Sequence, residues 1–343
     1  MNLAEYQQAG RTFVVAEIAQ AHDGSVGILH SLLEAAAGTG VDAVKFQVHI
    51  ADAESSVQEP FRIKFSLQDD SRYAYWKRME LSAKQWEQLK ARCDALGVEF
   101  LATPFSRAAI DLLEGLGVRR FKVGSGDAMN PLLLERLART GKEVILSTGL
   151  GDLDELDAAV KLLCDRGCPV ALLQCTTKYP TSAPEVGLPW IARLRERYVC
   201  PVGLSDHSGT IYAGLGAVAL GAVAVEVHVT FDRRMFGPDA RASLTIDELA
   251  RLVEGIRFLE QARGSGPGKS LDKDRRELRR IFGRSLAVNR DLRAGETLRF
   301  EDLECKKPAD AGIPVSELQS VLGRRLSRDK RRWDFLQPED LSK

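Results

Sequence analysis

The chain has 343 residues, 48 of them basic and 48 acidic, so its formal net charge is zero. That balance leaves no bulk electrostatic footprint for nucleic acid or an anionic membrane surface, and its apolar runs are broken by glycine and charge well short of the ~18 residues a membrane span needs. The composition is that of a globular protein, and the length suits one large domain of ~250 residues plus a small one.

The N-terminal stretch MNLAEYQQAGR lacks a basic n-region and an apolar h-region, so no signal peptide is expected there. Six cysteines lie at 93, 164, 168, 175, 200 and 305. Only Cys164 and Cys168 are close, and their spacing fits no standard zinc or redox motif. Several sit in apolar runs, as buried thiols do. A reducing, cytoplasmic compartment is the expectation.

From Arg11 to Glu260 one pattern repeats. Apolar or β-branched runs lie at 12–18, 42–48, 98–103, 119–124, 143–148, 170–175, 201–206 and 222–229. Helical candidates lie between them at 26–38, 84–96, 106–115, 130–140, 153–166, 186–197, 210–220 and 245–262. Eight strands alternating with eight helices predict an α/β fold, a (β/α)₈ TIM barrel spanning 1–262, with a doubly wound open sheet as the alternative. The stretch from Ala51 to Leu81 is longer than an ordinary βα loop. Its aromatic and basic residues suit either a lid or plain packing over the barrel mouth.

In a barrel the active site lies at the C-terminal strand ends. Those ends carry Glu17, Lys45 and Gln47, Thr103, Lys122 and Ser125, Ser147, Gln174 and Thr176, Ser205 and His207, and Glu226 and His228. The strand period of two puts Lys45 and Gln47 on one face. A lysine in an apolar strand is seldom tolerated without a partner. Two of them, Lys45 and Lys122, pointing at one mouth with several hydroxyls, read as an anion site for phosphate or carboxylate. Between Val199 and Met235 the pattern is strand, helix, strand, so the two strands are parallel neighbours and His207 and His228 can share one metal ion. Two unrelated, hydrogen-bonded histidines are the simpler reading of that stretch alone.

After Arg263 the segment GSGPGKSLDKDRRELRR reads as a linker, 263–281, that includes a short basic helix. GSGPGKS is not a P-loop, because the spacing is broken at Arg263 and no buried strand precedes it. The last unit, 282–343, reads as a small β-rich domain, marginal alone.

Across nearly the whole chain the motifs AEIAQAHDGS (16–25), VKFQ (44–47), FKVGSGDAMNPLLLE (121–135), ILSTGL (145–150), QCTTKYPT (174–181), VGLSDHSG (202–209), EVHVTFDRRMFGPDARASL (226–244) and GRSLAVNRDLRAGETL (283–298) resemble the sialic acid synthase family. The resemblance implies condensation of phosphoenolpyruvate with an N-acylated amino sugar such as N-acetylmannosamine, giving a nonulosonic acid and phosphate. It implies that 282–343 is an antifreeze-like (SAF) domain of a domain-swapped homodimer, lending Arg284 to the partner's sugar site. By the same resemblance His207 and His228 match the ligands of a divalent metal, usually Mn²⁺, with Mg²⁺ or Co²⁺ as alternatives. Lys45, Lys122, Ser125, Ser147 and Ser205 match the phosphoenolpyruvate contacts, and Gln47, Tyr179, Asp239 and Arg284 the amino-sugar site. Asp127, Glu17 or metal-bound water would manage the proton of the water that adds at carbon 2, with Asp127 preferred.

This chain departs from the family pattern at Ala21 and Asp23, where asparagines are usual, at Asp127, usually Glu, at Thr177 in CTT, and at Val227. All but Val227 are expected to border the sugar, so legionaminate- or pseudaminate-type products stand beside the neuraminate type. A Schiff-base aldolase using Lys45 or Lys122 and an inactive sugar-binding homologue are the rival readings.

Overall fold

The computed structural model describes residues 1–264, 268 and 270–342. Two compact units divide at Gly264. The first contains the eight expected strands: β1 (Phe13–Glu17), β2 (Ala43–Val48), β3 (Glu99–Pro104), β4 (Arg120–Val123), β5 (Glu143–Ser147), β6 (Val170–Cys175), β7 (Val202–Asp206) and β8 (Ala224–Thr230). Each is followed by a helix: Val26–Ala37, Ala83–Leu96, Arg107–Gly115, Pro131–Ala138, Leu153–Asp165, Pro189–Arg197, Ile211–Ala219 and Ile246–Arg263. Strands pair in parallel in the order β3-β2-β1-β8-β7-β6-β5-β4. β3 lies beside β4 and so rounds off the ring, without a paired ladder between them among the described residues. This is the (β/α)₈ barrel. A two-residue strand, Leu244–Thr245, is added to β8.

The helices begin where the sequence supplies a cap. Ser25, Ser82, Ser106, Asn130, Asp152 and Thr245 each accept a hydrogen bond from a backbone N–H of the first turn. Each helix buries one apolar stripe against the outer face of the strands, where Val14, Val44, Phe46, Phe100, Phe121, Leu146, Leu172, Val225 and Val227 form one continuous core.

The alternate residues point into the barrel, and their character changes along its axis. At the N-terminal end Arg120 is buried between Glu99 and Glu143. Helix Leu3–Gln8 covers that end, with Leu3 N–H donating to Glu143 at 2.9 Å. The next layer is apolar: Phe13, Val15, Ala43, Leu101, Ile145, Leu173 and Ala224. One strand step further on, the same parity delivers Glu17, Lys45, Lys122, Ser147 and Glu226. The apolar layer keeps water from reaching the polar one from below, so the charged groups can be satisfied only by each other or from the mouth.

The second unit contains helix Lys273–Phe282 and the antiparallel strands Ser285–Val288 and Leu303–Lys306. Its core is Leu286, Val288, Leu292, Leu298, Ile313, Val321, Leu326 and Leu336. Of the expected linker, residues 265–267 and 269 lie outside the described residues, and its second half is the basic helix.

Candidate active site

A cavity of about 410 Å³ opens at the C-terminal ends of the strands, the size of a small-molecule site. Eleven of the expected site residues line it: Lys45, Gln47, Lys122, Ser125, Asp127, Ser147, Tyr179, Ser205, His207, His228 and Asp239.

Its floor is an interlocked set of charges. Register pairs Glu17 with Lys45 on one side and with His228 on the other, and Ser205 with Glu226. Lys45 Nζ is hydrogen-bonded to Glu17 Oε2 and lies 3.6 Å from Glu226 Oε1. Lys122 Nζ lies 3.7 Å from the same Glu226 oxygen and donates to Ser147 Oγ at 2.7 Å. Ser205 Oγ donates to that oxygen as well, at 3.2 Å. Glu226 Oε2 is buried and has no hydrogen-bond partner in the protein.

The two lysines are therefore not equivalent. Burial opposes the charge of both. At Lys45 it is outweighed by Glu17 and then Glu226, which hold the ammonium above its ordinary range. At Lys122 burial prevails: Glu226 opposes it, Lys45 reinforces it, and the group is held below its ordinary range. An arriving dianion would favour the charged form of Lys122 further. Glu226, despite its burial, is kept ionised by Lys122 and Lys45.

One wall carries Ser125, whose Oγ accepts from Gly149 N–H at 3.0 Å. A Cβ at Gly149 would stand 2.4 Å from Thr177 Oγ1 and 2.8 Å from Ser125 Oγ, so only glycine lets this loop approach. Asp127 stands beside it, held by Asn130, whose Nδ2 donates to Oδ1 at 3.1 Å. Asn130 is also the cap of helix Pro131–Ala138. Burial raises the Asp127 carboxyl against this hydrogen bond. That brings it towards the range of a proton-transferring group.

The ends of β7 and β8 hold His207 and His228, with ring centroids 5.2 Å apart. His207 Nδ1 lies 3.0 Å from the Thr176 carbonyl and so donates to it, leaving Nε2 as a lone pair. Burial, then His228, pushes the His207 imidazole down to about 3. A neutral imidazole whose far nitrogen is anchored to a carbonyl is the usual state of a metal ligand. Among the described residues no set of three or more His, Cys, Asp or Glu side chains is gathered to hold an ion. The donor set fits a two-histidine site with its remaining positions open to water or substrate. Tyr179 packs on both rings, at 4.1 and 5.7 Å.

Some expectations change. Glu17 is fully buried beneath Lys45 and Gln47 and does not line the cavity, so it acts through those two side chains. Asp23 does not border the cavity either: its Oδ1 pairs with Arg78 at 2.9 Å, and Arg78 also donates to the Asp23 carbonyl. Ala21 is likewise absent from the cavity wall, whereas Asp127 and Thr177 are part of it. The departure at 23 thus faces the 51–81 segment, and Ala21 lines a small separate hollow with Phe236, Gly237 and Ala240. Arg284 lies in the second unit, where it donates to the Cys305 carbonyl at 3.0 Å.

The 51–81 segment contributes helices Ala51–Glu54 and Arg72–Met79 and brings Glu54, Glu59, Arg62, Arg72 and Trp76 to the cavity. Arg62 lies over the Tyr179 ring and donates to Asp239 at 2.8 Å. The aromatic and basic residues of this segment were expected over the mouth as a group, but none of the five is individually legible, because an irregular loop has no period from which to read direction. His49 was also missed, though it was legible: it follows Lys45 and Gln47 at the same parity.

Comparison with known proteins settles the family. The NeuB family profile matches residues 32–267 and the SAF domain profile residues 283–342. The chain belongs to the NeuB family. Relatives of this NeuB-family chain include N,N'-diacetyllegionaminic acid synthase of Campylobacter jejuni, 35% identical over 92% of this chain and 95% of that one. N-acetylneuraminate-9-phosphate synthase of Mus musculus is 30% identical over 92% and 88%. The structure of an N-acetylneuraminic acid synthetase from Leptospira borgpetersenii, in complex with citrate, superposes with a TM-score of 0.69 at 31% identity, covering 78% of this chain and 90% of that one. The family is that of nonulosonic acid synthases, and the second unit is a SAF domain.

Proposed function

We propose that this chain joins carbon 3 of phosphoenolpyruvate to the aldehyde carbon of an open-chain N-acylated amino sugar. Water adds at carbon 2 and inorganic phosphate leaves, so the products are a nonulosonic acid and phosphate. One observation carries this reading: two buried lysines share Glu226 at the floor of a cavity whose walls present Ser125, Ser147 and Ser205. Lys45, Lys122 and these hydroxyls hold the phosphate and carboxylate and stabilise the charge that develops as the carbon–carbon bond forms. Asp127 exchanges the proton of the water that adds at carbon 2.

His207 and His228 would hold a divalent ion, Mn²⁺ first, with Mg²⁺ or Co²⁺ as alternatives. When bound, the ion supplies Lewis-acid polarisation of the sugar's carbonyl oxygen. Gln47, Tyr179 and Asp239 face the amino sugar from this chain. Arg284, in a domain-swapped dimer, would face it from the partner. No helix among the described residues is long and apolar enough to cross a membrane. All six cysteines are unpaired, which supports a cytoplasmic location.

A legionaminate- or pseudaminate-type substrate is the second reading. It is favoured by the 35% and 34% identity to enzymes named N,N'-diacetyllegionaminic acid synthase. The test is a panel of N-acyl hexosamines and diacetamido deoxy sugars incubated with phosphoenolpyruvate and Mn²⁺, read by phosphate release. Release with none of them would refute the synthase reading. Borohydride trapping of a pyruvate adduct on Lys122 would favour the aldolase instead.

A further inference from the structure

We propose that His49 is a positioning residue for the amino-sugar wall, orienting the Gln47 carboxamide through Gln20. The proposal rests on the reading of Gln47 as a sugar contact. His49 follows β2, is 4% exposed and lines the cavity. Both faces of its ring are covered, by Trp76 at 3.9 Å and 18° and by Phe105 at 4.6 Å and 8°. Trp76 comes from helix Arg72–Met79 and Phe105 from the end of β3, so the ring cannot turn without displacing one of them.

The hydrogen-bond network then assigns every hydrogen on the ring edge. Nδ1 lies 2.6 Å from Glu54 Oε1. An ionised carboxylate only accepts, so Nδ1 carries the hydrogen. Gln20 Nε2 lies 3.1 Å from His49 Nε2 and also donates to Gln47 Oε1. A primary amide has two hydrogens to give, and both find an acceptor only when His49 Nε2 is a lone pair. The 3.3 Å approach of His49 Nε2 to Gln47 Oε1 is then contact between two acceptors that share one donor. Gln47 Nε2 in turn donates to Glu17 Oε1 at 2.9 Å, while the other oxygen of Glu17 holds Lys45.

The order Glu54, His49, Gln20, Gln47, Glu17, Lys45 thus runs unbroken from the 51–81 segment to the anion site. It leaves Gln47 one amide hydrogen and one carbonyl lone pair for a sugar hydroxyl or acyl group. Reversing the amide would set its NH₂ against that of Gln20 and its oxygen against a carboxylate. Each mismatch is the kind of buried conflict a folded protein avoids. His49 supplies the acceptor that fixes which way Gln20 points, and so which face Gln47 shows.

The experiment pairs steady-state kinetics with NMR of the imidazole. Asparagine at 49 keeps a donor near Nδ1 but has nothing at the Nε2 position. Glutamine reaches that position with its carbonyl. His49→Asn should raise the KM for the amino sugar about tenfold, leave the KM for phosphoenolpyruvate within about twofold, and His49→Gln should return the former to within about threefold. Gln20→Leu, which leaves the aromatic stack intact, should raise the same KM. Long-range ¹H–¹⁵N spectra without any sugar should show His49 protonated at Nδ1 and bare at Nε2, with the Nε2 signal moving in Gln20→Leu. A protonated Nε2 at neutral pH overturns the proposal whatever the substrate. So does an equal rise of both KM values in all three variants. Gln47→Leu separates the two readings. An unchanged sugar KM there overturns the sugar contact, and a rise there with none in His49→Asn overturns the part played by His49 alone.

Discussion

Lys122 Nζ donates to Ser147 Oγ at 2.7 Å, across the neighbouring strands β4 and β5, and this pair forms the least charge-compensated edge of the cavity floor. Lys45, by contrast, is hydrogen-bonded to Glu17. Replacing the two lysines should therefore have different consequences. Lys122→Met should raise the KM for phosphoenolpyruvate by one to two orders of magnitude, the loss of a charge-assisted hydrogen bond of ~1.5–3 kcal/mol, with a smaller fall in Tm than Lys45→Met, because only Glu226 loses a cation. Lys45→Met leaves Glu17 and Glu226 buried with one cation fewer and should also cost ~3–5 kcal/mol of stability. Kinetics beside thermal denaturation checks both, and an unchanged KM in both variants would make these lysines structural.

The two-histidine site should need its ion. Chelation should abolish phosphate release and Mn²⁺ should restore it. Mn²⁺ should raise the Tm of the wild type, because an ion that binds only the folded state stabilises it. The same addition should leave the Tm of His207→Ala and His228→Ala unmoved. Full turnover by His207→Ala in excess chelator would remove the ion from the mechanism.

A third expectation concerns acid. His22 is buried, its Nδ1 accepts from Gly24 N–H at 3.2 Å, and burial, followed by His49 and Arg78, pushes it down to about 4. The unfolded chain takes up this proton near pH 6.5, the folded one only near pH 4. The contribution of neutral His22 is thus fully present above pH 6.5 and is lost as pH falls towards 4. The loss should amount to ~3 kcal/mol. Denaturant titrations at pH 7, 5.5 and 4 should show the decline, and His22→Gln should lessen it, His207 contributing to what remains. Parallel curves for the two proteins would mean that other groups govern acid stability.

The fourth expectation is a swapped dimer with Arg284 acting in trans. The SAF domain has a small core, and a unit of that size buries little surface on its own. An Arg284→Ala chain and a His207→Ala chain, each inactive alone, are co-expressed with two tags and the mixed dimer is isolated. In trans, one mouth of each mixed dimer carries both intact groups, and about half the activity of wild type should return. In cis every mouth lacks one group, so dead mixed dimers would rule out the swap.

Much of this protein was legible in its sequence because its regularities are local. Eight alternations of strand and helix are read from periods of two and 3.6 residues, and all eight strands and all eight helices formed where those periods placed them. Strand parity also determined which side chains face inward. Lys45, Gln47, Lys122, Ser147, Ser205, Glu226 and His228 reach one mouth because parallel strands in a barrel end together. His49 obeyed the same rule. Tertiary structure alone decided how these groups divide their charge. That Glu226 is shared by Lys45, Lys122 and Ser205, and that Glu17 is sealed beneath Lys45, depends on separations of 3.2 to 3.7 Å and on burial, which no local pattern encodes. The same holds for the segment from Ala51 to Leu81. Arg62 meets Asp239 across 177 positions of sequence and Arg78 meets Asp23 across 55. Such pairings are chosen when an irregular segment finds the surface that satisfies its charges, a choice made by the assembled barrel and not by the segment.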